Sequence, residues 1–136
     1  MASLFMLDTD TCIFLMRRAS QKLEAKVQSV PLQNQLMSAV TFAELSYGVQ
    51  ASVSAKRKQN QATLDSLALH LAVLDWPQVA AKFYAEIRFD LKKRGAQLGA
   101  ADLMIAAHAR SLGAVVVTNN VKDFSRVKGL EVENWT

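Results

Sequence analysis

Apolar residues along the chain fall into two registers. Short unbroken runs, LFML (4–7), LMSAV (36–40), AVLDW (72–76) and AVVVT (114–118), have the length and branched content of buried strands. Between them lie longer segments in which apolar positions recur every three or four residues, the period of a helix with one face buried. TCIFLMRR and SQKLEAKVQSV read as two helices parted near Ala19 and Ser20, with Pro31 closing the second. TFAELSYGV starts a third helix and SAKRKQNQATLDSLALHL a fourth. A further helix is expected over about 78–94 with Gly95 as its stop, and another from Gly99 through AADLMIAAHARSL to Gly113. LEVEN alternates and is expected to form a last strand at a sheet edge.

Strands that alternate with helices predict an α/β fold, a mainly parallel sheet sandwiched between helical layers. At 136 residues the whole chain, 1–136, is expected to be a single domain with a sizeable core. A 51% hydrophobic content with only five glycines and two prolines excludes a disordered or collagen-like chain. The longest apolar stretches fall well short of the roughly 20 residues of a membrane-spanning helix. MASLFMLDTD has no basic start and meets Asp8 too early for a secretory signal, so a cytoplasmic location is expected. The single cysteine, Cys12, has no partner for an internal disulfide and reads as a small buried hydrophobe.

In open parallel sheets ligands gather beyond the carboxyl ends of the strands, which is where the acidic residues concentrate here. Asp8 ends the first strand and Asp10 follows it. Glu44 falls in the first turn of the helix after the second strand, and Asp102 in the first turn of the helix before the fourth, which ends in Thr118, Asn119 and Asn120. Each has a plain structural reading. Thr41 and Glu44 match a capping box, Asp10 a helix cap, Asp102 a charge at the positive end of a helix, and the asparagines a turn. Asp102 strains its reading most. AADLMIAAHA is apolar on nearly every side, so its helix is expected to be covered, where an unpaired carboxylate costs several kcal/mol. If Asp8 and Glu44 converge on it, mutual repulsion raises their pKa values unless a cation intervenes, and no Lys or Arg stands at a strand end. A hard divalent ion with oxygen ligands resolves this, and few carboxylates with retained waters suit Mg²⁺ or Mn²⁺. His70 and His108 read as non-ligands.

Charge points to a class of substrate only in combination with that site. The chain carries a net +4, and the excess lies in residues 51–100, with eight Lys or Arg against four Asp or Glu. Two clusters account for most of it. Lys56, Arg57 and Lys58 read as a solvated helix face, whereas Lys92, Lys93 and Arg94, just ahead of the Asp102 helix, are the preferred phosphate contacts. No activated Ser, Cys or Lys nucleophile and no glycine-rich phosphate loop is apparent, which leaves metal-activated water acting on a phosphodiester.

Taken in order, FMLDTD with CIF, VTFAELSYGV, GAADLMIAAHARSLG, and VVVTNN with KDFSRVKGLEVENW strongly resemble the PIN-domain ribonucleases that serve as toxins of VapBC-type toxin–antitoxin pairs. The likeness covers essentially the whole chain. It implies a three-layer α/β/α sandwich and a Mg²⁺-dependent endoribonuclease that cuts RNA, tRNA among the substrates of relatives, by in-line attack of water. It also implies a homodimer and a small cognate antitoxin whose C-terminal segment fills the toxin groove. Carried over by position, Asp8, Glu44 and Asp102 match the family's acidic triad, with Asp8 and Asp102 as metal ligands and Glu44 holding the water on the metal or acting as base. Two departures stand out. Asp10 replaces a common Asn, and Asn120 occupies the place of a fourth acid, with Asp123 three residues further on as its partial substitute; whether a second metal binds is left open.

Two other readings stay open on the residues alone. Asp8 and Asp10 after an apolar strand resemble the nucleophile and acid of haloacid-dehalogenase-type phosphatases, although Asp102 then precedes Thr118, against that family's order. A non-enzymatic RNA- or protein-binding module with structural acids is the third.

Overall fold

The computed structural model describes residues 3–136. It contains five strands, β1 (Phe5–Leu7), β2 (Gln35–Ser38), β3 (Ala72–Leu74), β4 (Val115–Val117) and β5 (Val132–Glu133), all parallel, in the order β3-β2-β1-β4-β5. Seven helices connect them: α1 (Thr9–Arg17), α2 (Gln21–Ser29), α3 (Ala39–Ala51), α4 (Ser54–His70), α5 (Ala80–Lys93), α6 (Ala100–Leu112) and α7 (Val121–Phe124).

Strand periodicity divides the interior into two cores. Met6 and its register partners Leu36 and Val116 face one side, where they meet Ile87 and Leu91 of α5, Ile105 and Ala106 of α6, and Phe124 of α7. Their sequence neighbours Leu7, Met37 and Val117 face the other, against Cys12 of α1, Leu23 of α2, Leu45 and Val49 of α3, and Leu64 of α4. Both faces of the central strands are thus covered, which is why these segments read as unbroken apolar runs. Every expected strand is present. LEVEN supplies β5, which lies at an edge as expected.

Two helix starts differ from the expectation, each for a local reason. The second strand stops at Ser38 rather than continuing to residue 40, because the Ser38 hydroxyl accepts from the Val40 amide at 3.1 Å and starts α3 there. The capping box at Thr41 therefore does not form, and Glu44 falls in the second turn of α3 instead of the first. At the first helix Asp8, not Asp10, is the cap: its Oδ1 accepts from the Thr11 amide at 2.9 Å. Helix α7, only four residues long, is too short to leave a periodic signature. Gly113 does close α6, with φ of 65° that a side chain would strain.

Ser38 also meets His108 from α6, Nδ1 to Oγ at 2.9 Å, both residues fully buried. Burial lowers the His108 pKa, so the ring is neutral. Replacing Ser38 by Ala leaves the Val40 amide and the His108 nitrogen unpaired together. Urea denaturation should show a loss of about 2–3 kcal/mol.

Candidate active site

The chain order places a topological switch between β1 and β4. β1 leads into α1 on one face of the sheet, while β4 leads into α7 on the other, so the loops diverge and leave a crevice at the strands' carboxyl ends. Asp8 sits at its floor. The Asp8 amide donates to the Val117 carbonyl at 3.0 Å, continuing the ladder by one rung, and its carboxylate turns to cap α1. It is only 2% exposed. Burial pushes its pKa up, against hydrogen bonding from Thr118 and Thr11 that pulls it down.

Asp102, in the first turn of α6, is half-buried, and its pKa is pushed up to about 6. Desolvation is the main cause, followed by the charges of Asp8, Glu44, Asp10 and Asp123. Five carboxylates from α1, α3, α6, α7 and the end of β1 therefore share one neighbourhood. Among the described residues no Lys or Arg pairs with Asp8, Asp10, Glu44 or Asp102; Arg126 pairs with Asp123 at 3.4 Å, on the rim. The charges of Asp8 and Glu44 are thus both felt at Asp102. Asn120 joins them indirectly, its Nδ2 donating to Asp123 Oδ2 at 3.0 Å and its amide to Thr118 Oγ1 at 2.9 Å. Asp10 lies on the exposed side of the first turn of α1.

This donor set fits a hard cation by charge and atom type. It is not a closed cage: among the described residues no three acidic, histidine or cysteine side chains stand close enough to hold one ion by themselves. One or two carboxylates supplemented by water is the mode of Mg²⁺ rather than of Ca²⁺. Both histidines are engaged elsewhere, His108 with Ser38 and His70 with the Ser66 carbonyl.

The basic cluster at the end of α5 divides. Arg94 is bound into the fold through Asp90 at 2.7 Å and the Arg126 carbonyl. Lys92 and Lys93 are exposed, Lys93 lying over the Phe89 ring. Lys92 lines a cavity of about 420 Å³ with Arg88, Gln97, Leu98 and Leu103, next to Asp102 in sequence. Lys56, Arg57 and Lys58 are exposed on α4. Two contributors escaped the sequence reading. Thr9, half-buried, donates to Glu44, and Thr11 donates its hydroxyl to the Val117 carbonyl beneath Asp8. The only signal for them was the hydroxyl-rich spacing of LDTDT around Asp8.

A family model described as the PIN domain matches residues 5–130. The chain belongs to the PIN-domain family. A curated relative, the tRNA(fMet)-specific endonuclease VapC of Salmonella typhimurium, is 37% identical over 96% of this chain and 97% of its own. Ribonuclease VapC2 of Rickettsia felis is 35% identical over 97% and 98%. The crystal structure of DNA-bound VapBC from Salmonella typhimurium contains a chain superposing with a TM-score of 0.92 at 36% identity, covering 99% of this chain and 100% of that one. VapBC2 from Rickettsia felis, bound to a DNA fragment from its promoter, gives 0.90 at 32% identity over 98% and 99%. The three-layer architecture expected from the sequence is that of this PIN domain.

The raised Asp102 pKa makes a stability prediction. A carboxyl whose folded value lies above its ordinary 3.8 favours the folded state in acid and loses that contribution as pH rises through about 6. Asp102→Asn keeps the uncharged shape at all pH. In metal-free protein it should raise the thermal midpoint by a few degrees near pH 8, with the difference closing below about pH 4. A midpoint equal to or below that of the parent near pH 8 would contradict the crowding of charge at this site.

Proposed function

We propose that this PIN domain is the endoribonuclease toxin of a type II toxin–antitoxin pair, held inactive by a small cognate antitoxin. The observation that carries the reading is the group of carboxylates at the sheet's switch point, of which Asp8, Asp10, Glu44 and Asp102 pair with no Lys or Arg among the described residues, in a chain whose full-length relatives are named as ribonucleases. Metal dependence is general among such nucleases; Mg²⁺, with Mn²⁺ as a substitute, is the ion we assign. Asp8 and Asp102 would hold it. Bound there, Mg²⁺ would lower the pKa of a water molecule and neutralise charge on a phosphoryl oxygen.

The protein's own side chains account for the rest. The Thr11 amide and the Thr118 hydroxyl fix the Asp8 carboxylate. To Glu44, on α3, we assign the holding of the attacking water and the uptake of its proton. Asn120 steadies Asp123 and offers a carbonyl oxygen beside the cluster. Lys92 and Lys93, exposed at the end of α5, are the cationic groups we assign to receive the phosphate backbone, with Arg94 beside them held within the fold. A site of this kind reads phosphates rather than bases; a tRNA substrate is proposed by analogy with the relative that carries that specificity in its name. A homodimer in the cytoplasm belongs to the same proposal. Among the described residues no helix is long and apolar enough to cross a membrane.

Purified protein should cleave cellular RNA in Mg²⁺ and not in chelator, with activity restored on adding the ion back. Asp8→Asn and Asp102→Asn should each lower the rate by about a thousandfold while leaving the protein folded. Full cleavage in chelator, or by either variant, would overturn the reading.

Removing Lys92 and Lys93 together by alanine should reduce the slope of log affinity against log salt for single-stranded RNA by about 0.7 per lysine. Arg94→Ala should instead show mainly as lowered stability, because its guanidinium already bonds within the fold. An unchanged slope in the double variant would place the RNA elsewhere.

A further inference from the structure

Glu44 is exposed on α3 and has no cationic partner among the described residues. A flexible glutamate in that setting would sample several rotamers, and an imprecisely placed base is a poor one. A hydroxyl holds it. Thr9 Oγ1 donates to Glu44 Oε1 at 2.6 Å, a short contact of the kind an ionised acceptor makes. Thr41 Oγ1, fully buried, lies 3.4 Å from the same Thr9 oxygen, at the edge of hydrogen-bonding range, so the single Thr9 proton is left to the carboxylate.

Thr9 is the residue after Asp8, in the first turn of α1, while Glu44 and Thr41 lie on α3. The turn that directs the Asp8 carboxylate therefore also directs the Thr9 hydroxyl across the crevice. Oε2 of Glu44 has no protein partner among the described hydrogen bonds and remains available to solvent or substrate. Thr41, which the sequence suggested as a helix cap, instead packs behind this contact.

We propose that Thr9 is the positioning residue of Glu44, locking one carboxylate oxygen so that the other is presented to the water that attacks the phosphodiester. This rests on the role proposed for Glu44 above. Thr9 itself touches neither water nor RNA in this scheme. Valine at position 9 would retain the branched shape and remove the hydroxyl, whereas serine would retain the hydroxyl.

The test compares Thr9→Val, Thr9→Ser, Glu44→Gln and the Thr9→Val/Glu44→Gln pair in Mg²⁺-loaded protein with one RNA substrate. Thr9→Val should lower kcat by about ten- to a hundredfold with KM unchanged. Thr9→Ser should stay within about threefold of the parent, and adding Thr9→Val to Glu44→Gln should cost nothing further. A second readout needs no metal. In chelated, glutamate-labelled protein the Glu44 carboxyl carbon resonance, assigned by its loss in Glu44→Gln, should move in Thr9→Val and stay in Thr9→Ser.

A parental kcat in Thr9→Val, an undiminished effect in the Glu44→Gln background or an unmoved resonance would overturn the positioning role. Should Thr9→Val not fold, Thr9→Ala is judged by the same resonance. Failure of the underlying reading looks different: Glu44→Gln itself would then cleave RNA at the parental rate.

Discussion

Burial of like charge at one point of the sheet is the constraint on which the molecule is arranged. Asp8 continues a backbone ladder into a place almost closed to water, and the neighbouring helix starts bring further carboxylates towards it. Left to itself, such a cluster opposes folding, since Asp8 and Asp102 are desolvated in the field of the other charges. What makes it tolerable is the rest of the architecture. Two apolar cores, one on each face of a fully covered parallel sheet, supply the favourable term, and amide and hydroxyl donors meet Asp8 where water cannot.

The same arrangement divides labour between rigid and exposed parts of the site. Asp8 is set by backbone geometry and cannot move without disturbing β1, β4 and α1 together. Asp102 is carried by α6, a helix buried over much of its length, whose residues Leu103, Ile105 and Ala106 fix it against the sheet. Glu44 has no such anchoring and depends on a side-chain contact. Sites whose parts are held with unequal stiffness are adjusted most readily at the softest member, because a change there leaves the core intact.

Much of this was legible in the sequence, for physical reasons that also explain the gaps. The strands were visible because both their faces are buried, and the acids at their ends stood out because charge abuts apolar runs. Asp102 was the clearest, lying in a helix with no polar face to receive it. Helix starts were less legible. Ser38 and Thr41 are both plausible caps three residues apart, and only the packing of Ser38 against His108 decides between them. Asp8 and Asp10 present the same ambiguity, resolved by where the β1 ladder stops. The engagement of Arg94 with Asp90 and with the loop carrying Arg126 was not legible, since the loop lies more than thirty residues away in the chain. Thr9 was hidden by its ordinariness: one threonine in a first turn announces nothing until the helix it faces is in place.

The sheet's borders carry a separate consequence. Its outer strands are three and two residues long, with Pro77 three residues beyond the end of β3 and the buried Trp135 two residues beyond the end of β5. Such stubs expose too few free amides and carbonyls to template an added strand. Encounters between copies are thereby steered away from strand pairing and the fibrous association it seeds, and are left to the helical exterior, where Tyr47, Leu69 and Phe89 stand open to solvent.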